Sequence, residues 1–155
     1  MSKIAIVTGY SSGLGAAITR SLLERGWGVV GVSRTSKSGE LVNKYQDRLI
    51  EVHGSVDQQS VAEEAFSAAA TAGDFRMVVN CAGQGVFGPV GGYSAADIAV
   101  AVAGNLSGTI LFSDMAVNHF RELGGDIVNV MSTAGKKLRP EESVYVASKW
   151  GAKAY

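Results

Sequence analysis

The 155-residue sequence holds one cysteine, Cys81, which excludes an intrachain disulfide. A lone thiol fits a reducing compartment, and at the end of an apolar run it reads as packing rather than as a reactive group. The chain also lacks a charge excess, because 14 Lys and Arg residues balance 14 Asp and Glu residues. A balanced chain presents no basic face for nucleic acid or an anionic membrane. No apolar run is long enough to cross a bilayer free of charges and glycines. Met1-Ser2-Lys3 leads straight into an apolar run too short for a signal-peptide core. His53 and His119 make no metal-ligand spacing with Cys81. Repeats and low-complexity linkers are missing too. These absences lead us to expect one cytoplasmic domain over residues 1–155, with no metal, nucleic-acid or membrane partner.

What is present alternates between strand and helix patterns. Lys3 to Val7, Gly28 to Val32, Leu49 to Val52, Met77 to Val79 and Asp126 to Met131 are short apolar, β-branched runs that read as buried strands. Between them lie helical stretches at Ala16 to Arg25, roughly Gly39 to Gln46, and Gln59 to Ala72. Ser94 reads as the cap of a long helix that ends near Gly124-Gly125, and a last helix starts near Ser143 after Arg139-Pro140. This order implies an α/β fold, a doubly wound parallel sheet with helices on both faces. Ligands of such sheets bind at the C-terminal ends of the strands.

Two constellations fall at such ends. Thr8-Gly9-Tyr10-Ser11-Ser12-Gly13-Leu14-Gly15 joins the first strand to the first helix. A glycine turn of this kind aims backbone N–H groups and a helix N-terminus at phosphate. No Lys-Ser/Thr pair follows the last glycine, so it is not an ATPase-type phosphate loop. A glycine-rich turn without a ligand stays open on these residues alone. At the other end of the chain, Tyr145 and Lys149 are four apart and share one helix face. Ser132 lies thirteen residues before Tyr145, just past the apolar run Ile127 to Met131. A phenol titrates at about 10 in water, and a neighbouring ammonium favours its ionised form. The set reads as proton transfer to or from an oxygen that Ser132 holds.

Together these motifs resemble the short-chain dehydrogenase/reductase family over nearly the whole chain. Thr8-Gly-x-x-x-Gly13-x-Gly15 matches its cofactor glycine motif, and Asn80-Cys81-Ala82-Gly83 its Asn-Asn-Ala-Gly motif with Cys in the second place. Asn105 falls where the family keeps an asparagine in its fourth helix. Ser132, Tyr145 and Lys149 match its catalytic set, and Ser148 its common Ser-Lys pair. The resemblance implies a Rossmann-like sheet and reversible hydride transfer between NADPH and a small carbonyl or alcohol substrate. It implies Tyr145 as proton donor, Ser132 as the group stabilising the substrate oxygen, and Lys149 as a contact to the nicotinamide ribose. It implies for Asn105 a water that links Lys149 to solvent. Cofactor contacts would come from Thr8, Gly9, Ser11, Ser12, Gly13, Leu14, Gly15, Ser33, Arg34, Val56, Asn80, Ala82, Gly83, Tyr145 and Lys149.

The cofactor can be read after the second strand. Val32-Ser33-Arg34-Thr35 carries no carboxylate for a ribose 2′-hydroxyl. Arg34 and Ser33, helped by Lys37, suit a 2′-phosphate, so NADP(H) is favoured over NAD(H). Ser55-Val56-Asp57 departs from the family's usual Asp-Val pair beside the adenine. Family members also continue past the position of Tyr155 with more helix, two strands and a substrate-covering segment. The expectation is therefore a chain cut within the catalytic helix, inactive by itself and a homo-oligomer at full length. The alternatives are a dinucleotide-binding module without catalysis and an inactive fragment of a short-chain reductase. The substrate itself is not legible.

Overall fold

In the computed structural model, which describes residues 2–35 and 40–155, five parallel strands form one sheet in the order β3-β2-β1-β4-β5. The strands are β1 (Lys3–Thr8), β2 (Gly28–Ser33), β3 (Leu49–His53), β4 (Asp74–Asn80) and β5 (Asp126–Asn129). β1 lies between β2 and β4 and is buried from Ile4 to Thr8. A strand covered on both faces needs apolar residues at consecutive positions, and this one has them.

Two cores sit on the two faces, as the two-residue side-chain period of strands requires. Ile4, Ile6, Val30, Val32, Val52 and Val78 pack with Phe66 of α3 (Gln59–Ala72) and with Phe112 and Phe120 of α5 (Gly108–Leu123). On the other face Val7, Val29, Leu49 and Val79 meet Leu23 of α1 (Gly13–Glu24) and Leu41 of α2 (Glu40–Lys44). The last helix, α6 (Ser143–Ala154), packs against α4 (Ala95–Val102).

The sequence reading holds for the order and type of the elements, with shifts that have local causes. α1 starts at Gly13, so the end of the glycine motif is itself the first helical turn. β4 begins at Asp74 because Asp74 N–H donates to the Ser2 carbonyl beside β1. β5 pairs only as far as Asn129, where its register with Asn80 ends. Ser94 caps α4 with a full capping box, its hydroxyl accepting from Asp97 N–H while the Asp97 carboxylate accepts from Ser94 N–H. The long helix is interrupted by a π-turn, Ala103–Ser107, centred on Asn105. Across this turn the Thr109 hydroxyl donates to the Asn105 carbonyl at 3.1 Å.

From Ala95 to Leu123 this helical run has 29 residues and a mean hydropathy of 1.5 in its most apolar window. It is long and apolar enough to cross a membrane by length and composition. Here α5 lies on the sheet through buried Phe112, Ala116 and Phe120. β5 is the other partly uncovered element. Among the described residues no strand pairs with its outer side, and Val128 is 42% exposed.

Candidate active site

The C-terminal ends of β1, β2 and β4 open into a cleft of about 750 Å³ lined by Gly9, from Ser11 to Gly15, from Val32 to Thr35 and from Cys81 to Gly85. Val56, Asn105, Met131, Tyr145 and Lys149 close its other walls. The turn after β1 has its shape because only glycine fits. Gly9 and Gly13 take φ values of 70° and 51°. A β carbon on Gly15 would lie 2.1 Å from the Gly9 carbonyl oxygen, and one on Gly9 would lie 2.8 Å from Ala82 Cα. The N-cap residue Ser12 makes no side-chain cap, so the first N–H groups of α1 are left to the cleft. These features fit a pyrophosphate.

Thr8 and Asn80, both expected to contact the cofactor, do not line the cleft; they hold its frame. The buried Thr8 hydroxyl accepts from Cys81 N–H and Ala82 N–H, each at 3.0 Å, and so ties β1 to the loop after β4. Asn80 Nδ2 donates to Ser113 Oγ at 3.0 Å and to Asn129 Oδ1 at 2.8 Å, which joins β4 to α5 and β5. At the end of β2 the Ser33 hydroxyl donates to the Thr35 carbonyl, so its proton is committed within the turn. Arg34 is the cation that lines this corner. Lys37, its expected helper, lies outside the described residues. Ser55 and Val56 form the wall expected beside an adenine, with the Ser55 hydroxyl donating to Asp57.

α6 presents Tyr145 and Lys149 to the same cleft, as their four-residue spacing requires. Lys149 is 6% exposed, and its ammonium donates to the Val130 carbonyl at 3.0 Å. Burial pushes Lys149 below the ordinary lysine range, and the nearby Cys81 sulfur partly opposes the shift. Burial pushes the Cys81 thiol up, with Lys149 opposing. Half-buried Tyr145 stands beside Phe87, their ring centroids 6.3 Å apart.

Ser132 departs from expectation. It is not among the residues lining the cleft, although its neighbour Met131 is. Its Oγ accepts from Ala134 N–H at 3.1 Å and caps the short turn Thr133–Gly135. The hydroxyl keeps its proton to donate, because the cap uses only a lone pair. The Asn105 side chain clamps Gln84, with Oδ1 accepting from Gln84 N–H at 3.0 Å and Nδ2 donating to the Gln84 carbonyl at 2.9 Å. Each end of the amide keeps one further hydrogen-bonding position. Asn105 and Lys149 both approach Gly83, where a β carbon would lie 2.5 Å from Asn105 Oδ1 and 3.6 Å from Lys149 Nζ.

Two contacts escape a sequence reading. Tyr10 is fully buried, its ring lies over Gly31 of β2, and its hydroxyl donates to Glu51 of β3. The phosphate turn is thereby anchored to two strands. Gln84 accepts from Arg34 Nη2 at 3.1 Å, across fifty residues of sequence. The aromatic residue inside a glycine motif and the glycine inside β2 were the available signal for the first. Nothing in the sequence signals the second. Among the described residues no group of three or more His, Cys, Asp or Glu is placed to hold a metal ion.

A parallel sheet that gathers a phosphate turn and a Tyr–Lys pair at one end is the arrangement of nucleotide-dependent oxidoreductases. Comparison with known proteins narrows this. The short chain dehydrogenase family profile matches residues 3–155, and the chain belongs to that family. It is 32% identical over 155 residues to D-threitol dehydrogenase of Mycolicibacterium smegmatis, covering 96% of this chain and 60% of that one. With 3-ketodihydrosphingosine reductase of Bacteroides thetaiotaomicron it shares 27% over 154 residues, 99% of this chain and 55% of the relative. The chain thus spans little more than half the length of these curated relatives. Among solved structures, an alcohol dehydrogenase from Thermococcus sibiricus complexed with 5-hydroxy-NADP superposes with a TM-score of 0.89 at 25% identity, over 99% of this chain and 68% of that one. A short-chain dehydrogenase from Streptomyces avermitilis gives 0.91 at 25% identity, over 99% and 58%.

Proposed function

We propose that the cleft binds NADP(H) and serves reversible reduction of a small carbonyl compound, with Tyr145 as the proton donor. The observation that carries this is the convergence of the glycine turn, Arg34, Tyr145 and Lys149 on one cleft. Gly9 to Gly15 and the start of α1 would hold the pyrophosphate, Arg34 the 2′-phosphate, Val56 and Ala82 the adenosine half, and Tyr145 and Lys149 the nicotinamide half. The solved relative complexed with an NADP analogue supports the same cofactor. When bound, NADPH supplies hydride. The phenol of Tyr145 gives its proton to the substrate oxygen, and the Ser132 hydroxyl donates a hydrogen bond to that oxygen as charge develops on it. Lys149, held by the Val130 carbonyl, brings a positive charge to the cleft that Tyr145 lines. The protein would be cytoplasmic, with a small-molecule partner and a homo-oligomeric assembly.

One observation favours a binding module without catalysis, namely that Ser132 is not among the residues lining the cleft. Substitution separates the two readings. Tyr145→Phe keeps the ring beside Phe87 and removes only the proton donor. In a form of the protein with measurable turnover, it should lower carbonyl reduction by roughly 10²- to 10⁴-fold, the range for a general acid. NADPH affinity should hold. Near-normal turnover would sink the assignment.

A further inference from the structure

Arg34 and Gln84 come from opposite sides of the cleft, one just past β2 and the other in the loop after β4. Their side chains meet, with Arg34 Nη2 donating to Gln84 Oε1 at 3.1 Å. The two partners are not equally movable. Gln84 has its main chain fixed on both sides by Asn105, which is fully buried. Arg34 is exposed and extends on a long, flexible stem. The Ser33 hydroxyl beside it donates its hydrogen bond to the Thr35 carbonyl. The guanidinium is therefore the donor at this corner best suited to an anion, and one of its N–H edges is taken by a neutral amide. Arginine holds phosphate best through two parallel N–H bonds. The edge bonded to Gln84 must be released before a phosphate can fork onto that edge.

We propose that Gln84 is a specificity-determining residue for the cofactor: its side-chain amide and a ribose 2′-phosphate compete for the same guanidinium edge of Arg34. The inference rests on the reading of Arg34 as the 2′-phosphate contact. It makes Gln84 a brake on the preference for NADP(H) over NAD(H). Only a nucleotide with a 2′-phosphate has to displace the amide.

The experiment is fluorescence titration of NADPH and NADH into the 155-residue chain and into Gln84→Ala, Arg34→Ala and the double variant. Gln84→Ala leaves the Asn105 clamp intact, since that clamp uses only main-chain atoms of Gln84. Removing a competing hydrogen bond of ordinary net strength should tighten NADPH by roughly two- to twelve-fold. NADH affinity should not change, and Gln84→Ala should have no effect on either nucleotide once Arg34 is alanine. Weaker or unchanged NADPH binding in Gln84→Ala overturns the proposal, as does an equal shift for both nucleotides or one that persists without Arg34. The underlying reading fails separately, if Arg34→Ala alone weakens NADPH and NADH equally. If the parent chain binds neither nucleotide, both fall.

Discussion

At the residue scale the central fact is a lysine that the fold buries. Lys149 sits among α6, the end of β5 and the Gly83 loop, with its ammonium on the Val130 carbonyl. Burial holds its proton less tightly than the unfolded chain does, where the reference value is 10.5. Between the depressed folded value and 10.5 the unfolded chain binds more protons, so stability from this group rises with pH through that window. Below the window the cost of the buried charge is present in full. Wild-type stability relative to Lys149→Met should therefore climb as pH is raised from neutral toward 10.5. Thermal melts of the two proteins across that range check it, and a constant difference would contradict the burial argument. Tyr145 and Lys149 were legible in the sequence because helical spacing fixes a shared face. The Ser132 cap and the Asn105 clamp were not. Both depend on which backbone N–H a short side chain meets, and spacing does not encode that.

At the scale of elements, the phosphate turn is shaped from two directions. Glycines allow its close approaches, and Tyr10 pins it from below. The ring of Tyr10 occupies the space that a side chain on Gly31 would need, with the nearest approach to a β carbon at 2.4 Å. Gly31→Val should overpack this contact and destabilise the protein by about 1–3 kcal/mol. Tyr10→Ala in the same chain should recover part of that loss, because the clash goes with the ring. Chemical denaturation of the single and double variants measures both effects. An unaltered midpoint in Gly31→Val would show that the ring does not hold the turn. The strands themselves were readable from their apolar runs. The π-turn was not, because Asn105 interrupts an otherwise regular helical pattern and the Thr109 hydroxyl that bonds its carbonyl lies inside the same pattern.

For the whole molecule, the parallel strands place the glycine turn, the end of β2 and the loop after β4 at the C-terminal end of the sheet, which is why motif order along the chain was enough to foresee the cleft. The Arg34–Gln84 contact lay beyond such foresight, since it joins two exposed loops fifty residues apart. The β5 edge of the sheet is less finished. The outer side of β5 is unpaired among the described residues, and Val128, Met131 and Trp150 are exposed at 42%, 36% and 44%. An open apolar edge favours pairing with another chain. The 155-residue chain should associate with rising concentration on a sizing column, whereas a monomer at all concentrations would count against that view. The cleft is the central claim, and direct titration with NADPH and NADH tests it most directly. We expect saturable binding with NADPH the tighter ligand, and loss of that binding in Gly15→Ala, where the new methyl would strike the Gly9 carbonyl. No saturable binding of either nucleotide by the folded chain, or binding that Gly15→Ala leaves intact, would contradict it.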